Sequence, residues 1–380
     1  MKRRILSSLM ALVLVFGLLP ATAFAEGDAA PAAAKKIYVD AINGDDTAGD
    51  GTDTAPYKTV KKAVTVAESG ATIQLAAGCY SLYEACGTDD KSNSKEYTKN
   101  KDLTFIGAGP EETKWGIGAK VPDPTYFGTE YNGDYSFDGA GTITFQNMTL
   151  QSGSVDYLGF IRADNTVVEN CTINGKTFYW GYESATFTNT TFNCPKVKKY
   201  GFNVGEYAIW TYCSPVMTFD NCTFNSYGKV INVYNENSAA DYTINFNNCT
   251  VNNTDTPVKQ VLNINDSLVK GFTINITGDT VLKGYDTADI VDNKTCSRLF
   301  GFGGKANSNH KGKTIVNFNG TTVWQDGKMV DAKTYHNEGV MVDGVTYDNG
   351  VDGANDSLYA EGYKDNAFTT NTTTQGNRTV

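Results

Sequence analysis

Apolar and polar residues alternate along most of the chain, and from about residue 140 the alternation repeats as one phrase. In each copy two short alternating runs meet at an asparagine, as in TFDNCTF around Asn221. Alternation with a period of two predicts strands that each bury one side. The strong copies centre on Asn147, Asn170, Asn189, Asn221 and Asn248, and weaker copies centre on Asn275 and Asn319.

The strong copies follow one another at intervals of 19 to 32 residues, and no helical period lies between them. Repeats of this length and composition predict a solenoid in which each copy forms one coil. We expect the asparagine to be the bend, because Asn tolerates left-handed backbone geometry. Stacked coils lie ~4.8 Å apart, so these side chains are predicted to form a hydrogen-bonded ladder. The next position holds Cys171, Cys222 and Cys249, predicted to be small buried hydrophobes in a stacked row.

The N-terminal part carries a different pattern. A short β-run at residues 37–40 leads into a loop rich in Asp and Gly. After Pro56 the apolar residues Val60, Ala63, Val64 and Ala67 have the period of a short amphipathic helix. Two further strands are predicted in ATIQLAAG and LTFIGAGPEET.

These features together resemble a known fold family. The stretch YVDAINGDDTAGDGTDTAPYKTVKKAVTVAESGATIQLAAGCY is similar to the N-terminal cap and first coil of the pectin-lyase-like superfamily, and the NCT-type coils continue to about residue 325. The resemblance implies an all-β, right-handed parallel β-helix over residues 37–325, with a short N-terminal capping helix. It leaves activity open, because lyases, hydrolases, esterases, epimerases and non-catalytic adhesins share this fold.

A second strand precedes most copies of the phrase, in GFIRADN, YAIWTYC, KVINVYN, QVLNIND and RLFGFGG. If the apolar positions of these strands face inward, alternation places the positions between them on one exposed sheet face. Aromatic faces stack on the C–H surfaces of sugars, and Asn, Asp and Arg bond hydroxyls or carboxylates. The predicted sugar-binding positions are Arg162, Asp164, Trp210, Tyr212, Asn232, Tyr234, Asn263 and Asn265.

Packing under a covering loop is the alternative for Trp210 and Tyr212. A second aromatic cluster, TFYWGYE at residues 177–183, is predicted in a loop beside this groove, and simple loop packing is its alternative.

Candidate catalytic residues are few. The resemblance implies calcium-binding carboxylates with an Arg or Lys base in lyases, and NTD, DD, GHG and RIK motifs in hydrolases. The groove strands carry no such carboxylate cluster and none of these motifs. The remaining candidates are Arg162 or Lys305 beside an acidic sugar, or a pair formed by Asp164 and Asp266.

The loop DAINGDDTAGDGTD at residues 40–53 is the one candidate metal site, through Asp40, Asp45, Asp46 and Asp50. Its spacing does not match an EF-hand, and a cap loop built from Asx-turns is favoured over a Ca²⁺ site. No other cofactor is predicted.

Charge and the N-terminus indicate where the protein works. Residues 1–25 have the basic, apolar and small-x-small regions of a secretory signal peptide. Its removal takes the net charge from −10 to −13, because Lys2, Arg3 and Arg4 are lost. An acidic chain is a poor partner for nucleic acid. We therefore expect a secreted or bacterial cell-surface protein, monomeric and not inserted in a membrane after cleavage.

The ends of the mature chain lack the repeat. Residues 26–36 are Ala-rich and predicted to be a linker, and residues 326–380 to be an irregular segment and linker leading to a further module. Three functions fit the whole pattern: capture of a polysaccharide or host glycan by an adhesin-like groove, degradation of an acidic glycan by a lyase, and a structural stalk.

Overall fold

The structure is a computed structural model, and it describes the β-helix with gaps at several connections. The described residues are 35–80, 95–116, 137, 139–151, 161–175, 180–194, 207–211, 215–226, 229–235, 241–253, 262–267, 271–283, 300–303, 313–318, 320–325, 334–337 and 340–343. The predicted signal peptide and most of the two predicted linker segments lie outside them. No helix in the described ranges is long and apolar enough to cross a bilayer.

Strands dominate, with one short helix of two turns and another of a single turn. In chain order the elements are β1 (Lys36–Val39), α1 (Val60–Val66), β2 (Ala71–Leu75), β3 (Gly78–Tyr80), α2 (Lys95–Thr98), β4 (Leu103–Ile106), β5 (Thr113–Trp115), β6 (Thr142–Gln146), β7 (Thr149–Gln151), β8 (Asn165–Glu169), β9 (Thr172–Asn174), β10 (Ser184–Thr188), β11 (Thr191–Cys194), β12 (Tyr207–Thr211), β13 (Val216–Asp220), β14 (Thr223–Ser226), β15 (Lys229–Asn235), β16 (Asp241–Asn247), β17 (Thr250–Asn253), β18 (Leu262–Ser267), β19 (Gly271–Thr277), β20 (Val281–Lys283), β21 (Phe300–Gly303), β22 (Lys313–Phe318), β23 (Thr321–Gln325), β24 (Thr334–Asn337) and β25 (Val340–Asp343).

These strands form three sheets stacked in sequence order, which confirms the predicted parallel β-helix. The first sheet runs β1-β2-β4-β6-β8-β10-β13-β16-β19-β22-β23, and all its pairs are parallel except β22 with β23. The second sheet, β3-β5-β7-β9-β11-β14-β17-β20, and the third, β12-β15-β18-β21, are wholly parallel. A separate antiparallel pair, β24 and β25, lies within the segment predicted to be irregular.

Like residues stack on like inside the coils. Phe187 and Phe246 flank Phe219 in the row below the first sheet, with ring centroids 5.0 and 5.3 Å apart. Phe192 stacks on Phe224 at 4.7 Å below the second sheet. All five rings are buried, and each buried phenyl contributes about 1.5–3 kcal/mol. Equivalent apolar positions of the repeated phrase therefore stack on one another and form the core.

The bend between the first two sheets falls on the predicted asparagines. Asn147, Asn170, Asn189, Asn221 and Asn248 all adopt φ values between 48° and 55°. The expected ladder is present, because Asn189 Nδ2 donates to Asn170 Oδ1 at 3.1 Å and Asn221 Nδ2 donates to Asn189 Oδ1. The strong copies of the phrase therefore mark the bend correctly.

The weak copy centred on Asn275 does not mark the bend, and Asn319 lies outside the described residues. Asn275 lies inside β19 opposite Asn245, three residues before the bend. The bend itself is Gly278, with φ 64°. Gly320, with φ 77°, lies in the turn between β22 and β23, which pair antiparallel within the first sheet. Glycine reaches this geometry without strain. A Cβ at Gly278 would also overlap Oδ1 of Asn248, an atom that accepts from the backbone N–H of Asp279 at 3.0 Å.

A second asparagine ladder runs along the outer side of the second sheet. Asn193 Nδ2 donates to Asn174 Oδ1, Asn225 donates to Asn193, and Asn252 donates to Asn225, each at 2.9 Å. These residues are in extended strands, so the ladder here stabilises coil stacking without a left-handed backbone.

The predicted row of buried cysteines is also confirmed. Cys171, Cys222 and Cys249 are free thiols, and none is more than 2% exposed. Burial raises the pKa of Cys171 to about 12. The hydrogen bond to the Cys249 thiol, together with burial, raises the pKa of Cys222. These thiols are packing groups rather than nucleophiles.

The N-terminal cap closes the outer edge of the first sheet. Thr59 caps α1 by accepting from the backbone N–H of Lys62 at 3.2 Å, and the apolar side of this helix is buried. The loop before the helix covers β1, because Tyr38 N–H donates to Gly51 O at 2.9 Å and Tyr57 N–H donates to Tyr38 O at 3.0 Å. Covering an edge strand prevents unwanted strand pairing.

Candidate functional site

The third sheet places the predicted groove residues in register. Ile209, Ile231, Leu262 and Phe300 form one row, and the side chains of Ile209 and Ile231 are fully buried. The next register row holds Trp210, Asn232, Asn263 and Gly301, and the row two positions after the buried one holds Val233, Ile264 and Phe302. A further row holds Tyr234, Asn265 and Gly303. Tyr212 lies outside the described residues.

Arg162 and Asp164 do not lie on a strand of this sheet, which corrects their predicted placement. They belong to a connection before β8 that bends at residues 163 and 164 and is held by a hydrogen bond from Asp164 N–H to Ala140 O at 3.0 Å. Within this connection Ile161 and Ala163 are buried, Arg162 is half-buried and Asp164 is exposed. The alternation of inward and outward side chains holds even without a strand.

The next coil brings two further groups beside them. Tyr182 N–H donates to Ala163 O at 2.9 Å, and Glu183 N–H donates to Asp164 O at 2.8 Å. Both side chains are exposed, and Tyr182 keeps 37% of its surface in solvent. Arg162, Asp164, Tyr182 and Glu183 therefore form one cluster on adjacent coils, which we call the acidic end.

The aromatic cluster TFYWGYE is divided by the fold. Trp180 is fully buried and meets Phe187 edge-on, with centroids 5.0 Å apart and an interplanar angle of 85°. Tyr182, two residues later, is exposed on the coil surface. Packing is thus the correct interpretation for Trp180, whereas Tyr182 joins the candidate site.

The acidic end and the third sheet both lie, in their coils, between a strand of the second sheet and the following strand of the first sheet, and together we call them the third face. Each of its segments directly precedes a first-sheet strand, and these strands are hydrogen-bonded neighbours in chain order. Six coils contribute, so the face is about 24 Å long at ~4.8 Å per coil. Its segments are 161–164, 180–183, β12, β15, β18 and β21.

Asp164 and Asp266 do not form the predicted pair. Asp266 is the extra residue of a bulge in β18, since Tyr234 pairs with Asn265 and Asn235 with Ser267. The segments carrying the two aspartates precede β8 and β19, which are four coil steps apart in the first sheet. This separation is about 19 Å, beyond the roughly 5–9.5 Å that two glycosidase carboxylates require.

The aspartates of the N-terminal loop are engaged in turns. Asp46 Oδ1 accepts from the backbone N–H groups of Lys58 and Thr59 at 2.9 and 3.0 Å. Asp45 Oδ1 accepts from Thr47 and Ala48. Asp40 and Asp50 each accept from residues two or three positions later in the same way. This arrangement is that of Asx-turns.

Electrostatics agree with a structural role for this loop. Backbone hydrogen bonds from Ala48 and Thr47 lower the pKa of Asp45, and the side-chain and backbone hydrogen bonds of Thr52 lower the pKa of Asp50. Across the described ranges no group of three or more His, Cys, Asp or Glu side chains could hold a metal ion.

Comparisons with known proteins add little about activity. Residues 42–86 match a family model described as a protein of unknown function, DUF1565. No curated protein matches the chain. A solved complex of XylC with xylose resembles it with a TM-score of 0.35 and 12% identity, over 65% of this chain and 66% of that one. A likeness of this size carries no information about what this chain binds, and placement in the pectin-lyase-like superfamily stays a prediction.

Proposed function

We propose that this protein is a secreted or bacterial cell-surface β-helix that binds a polysaccharide or host glycan along its third face. The observation that carries the proposal is the in-register row of Trp210, Asn232 and Asn263 on three consecutive coils of the third sheet, with the exposed Tyr182 on the coil before them. Trp210 lies in the coil next to Tyr182, and Asn232 and Asn263 continue the Trp210 row.

The spacing of the coils supports a polymeric ligand. Adjacent coils are ~4.8 Å apart, close to the length of one sugar unit, so an extended chain can meet an equivalent position on each coil. Aromatic side chains supply flat apolar surfaces for pyranose rings, and amide side chains both donate to and accept from hydroxyls.

Binding of the purified protein to a glycan array, followed by affinity electrophoresis in the polysaccharides that bind, tests this proposal. We expect Tyr182→Ala and Trp210→Ala each to weaken binding about tenfold, from about 1–1.5 kcal/mol per stacked ring. Val216→Ala is the matched control, because Val216 is an exposed apolar residue of β13, the strand that directly follows Trp210's segment, but on the first sheet. Unchanged binding by the Tyr182 and Trp210 variants together would exclude the third face as the contact.

Degradation of the glycan is the second candidate function, and one observation favours it. Asp164 and Glu183 are exposed carboxylates on adjacent coils, and a backbone spacing of about 5 Å suits the carboxylate pair of a retaining glycosidase. A lyase acting on an acidic glycan would instead use Arg162 as its base. Reducing-end release that disappears in Asp164→Asn and Glu183→Gln would establish hydrolysis, and absorbance at 235 nm lost in Arg162→Ala would establish elimination. If neither product formation nor glycan binding were detected, a structural stalk would be the remaining function.

A further inference from the structure

The charges of the acidic end bear on what kind of sugar binds there. Asp164 and Glu183 are exposed, whereas Arg162, the cation among them, is half-buried. Glu183 follows Tyr182 on the same coil and stacks on Asp164 of the coil before, since Tyr182 N–H donates to Ala163 O and Glu183 N–H donates to Asp164 O. A sugar stacked on Tyr182 would therefore have both carboxylates beside it.

The rest of the third face does not reverse this balance. Asp266 in β18 adds a third acidic position and Lys229 at the start of β15 adds a basic one, two coil steps from Glu183. The whole chain is acidic, with a formal net charge of −10. A polyanion would approach this end of the face against both the local and the overall charge.

We infer that the sugar held at Tyr182 is uncharged, so that the ligand is a neutral polysaccharide rather than a polyuronate. This inference rests on the proposed function. Neutral hydroxyls donate hydrogen bonds to both carboxylates, whereas a uronate at the same place adds a third negative charge. At about 6 Å in water each like-charge pair weakens binding about threefold, and two pairs weaken it about tenfold.

Calcium offers one way to bypass this repulsion, by bridging the carboxylates of protein and ligand. The described residues bring two exposed carboxylates, Asp164 and Glu183, to this end. Binding is therefore measured in EDTA and again with 2 mM CaCl₂, taken as roughly the concentration range of weak extracellular sites.

The test compares polymers that share a backbone and differ in charge. Galactomannan, β-1,4-galactan and mixed-linkage β-glucan are used beside their C6-oxidised forms, with polygalacturonate and alginate as natural polyuronates. We expect the neutral polymers to bind, and oxidation to weaken binding about threefold to tenfold at low ionic strength. High salt should reduce the difference, because exposed charges are screened.

Variants assign the effect to the acidic end. Asp164→Asn and Glu183→Gln should reduce the discrimination between neutral and oxidised polymers, while Glu111→Gln, an exposed acid that precedes β5 of the second sheet, should leave it unchanged. Tighter binding of polyuronates than of neutral polymers, with or without calcium, would overturn the inference and leave the proposed function standing. Binding of no polymer in the panel or on the array would overturn the proposed function itself.

Discussion

Asn189 is the position at which the bend of the coil can be tested most directly. Its backbone is left-handed, with φ 48°, and its side chain lies in the middle of a ladder. It donates to Asn170 Oδ1 at 3.1 Å and accepts from Asn221 Nδ2. Replacement therefore removes two kinds of stabilisation, one in the backbone and one between side chains.

The two contributions separate when alanine and glycine are compared. Asn189→Ala loses two exposed hydrogen bonds, at about 0.5 kcal/mol each, and adds about 1–2 kcal/mol of left-handed strain. We expect a total loss of about 2–3 kcal/mol. Asn189→Gly loses the same hydrogen bonds without the strain, and glycine also raises the entropy of the unfolded chain. We therefore expect a loss of about 1–1.5 kcal/mol in the free energy of unfolding.

Asn193→Ala is the matched control, because Asn193 makes two ladder bonds of 2.9 Å from an extended strand. We expect it to cost about 1 kcal/mol. Urea denaturation followed by circular dichroism measures the unfolding midpoint of each variant. Where unfolding is not two-state, hydrogen exchange of the backbone N–H groups of Asn170 and Asn221, which donate to Thr188 O and Asn247 O, reports local opening of the coils. If Asn189→Ala were no less stable than Asn189→Gly, the strain argument would be refuted.

Three further predictions concern the cap and the core. Asp45 and Asp50 have lowered pKa values, so their contribution to stability is complete above the ordinary carboxyl pKa of 3.8 and is lost as the pH falls through the lower folded-state pKa. Melting temperatures between pH 7 and pH 3 should therefore fall less in Asp45→Asn. A thiol reagent at pH 8 should modify half-buried Cys79 before buried Cys171, and peptide mass spectrometry should show the difference vanish on unfolding. Phe219→Ala should cost about 3–5 kcal/mol in urea, because its ring stacks between two others in the core.

The sequence predicts the solenoid well because asparagine is the residue type that takes up the left-handed backbone at the bends of the strong copies. Five strong copies of the phrase carry Asn at the bend, and all five bends are left-handed. The weak copy at Asn275 misleads because a glycine, Gly278, adopts the left-handed backbone at that bend. The phrase FTINITG places its Asn at 275, whereas the stacking of Ile274 and Ile276 on Ile244 and Phe246 sets the register and moves the bend to Gly278.

The candidate site is harder to predict, and Gly181 shows why. Its φ of 142° breaks the alternation, so that Trp180 and Gly181 are both buried while Tyr182 and Glu183 are both exposed. A strict period of two cannot assign these four residues. Alternation does assign Arg162 and Asp164 to the outside, but it does not show that residues 161–164 form no strand.

The repeat and the candidate site place opposite requirements on the same coils. Inward positions must match their neighbours, because Phe187, Phe219 and Phe246 can stack only if each coil offers a similar ring. Outward positions meet no such requirement, and the third face accordingly changes from Arg162 and Asp164 on one coil to Tyr182 and Glu183 on the next. In a solenoid the repeated residues therefore report the register, and the outward positions that differ between coils are the ones to test for binding.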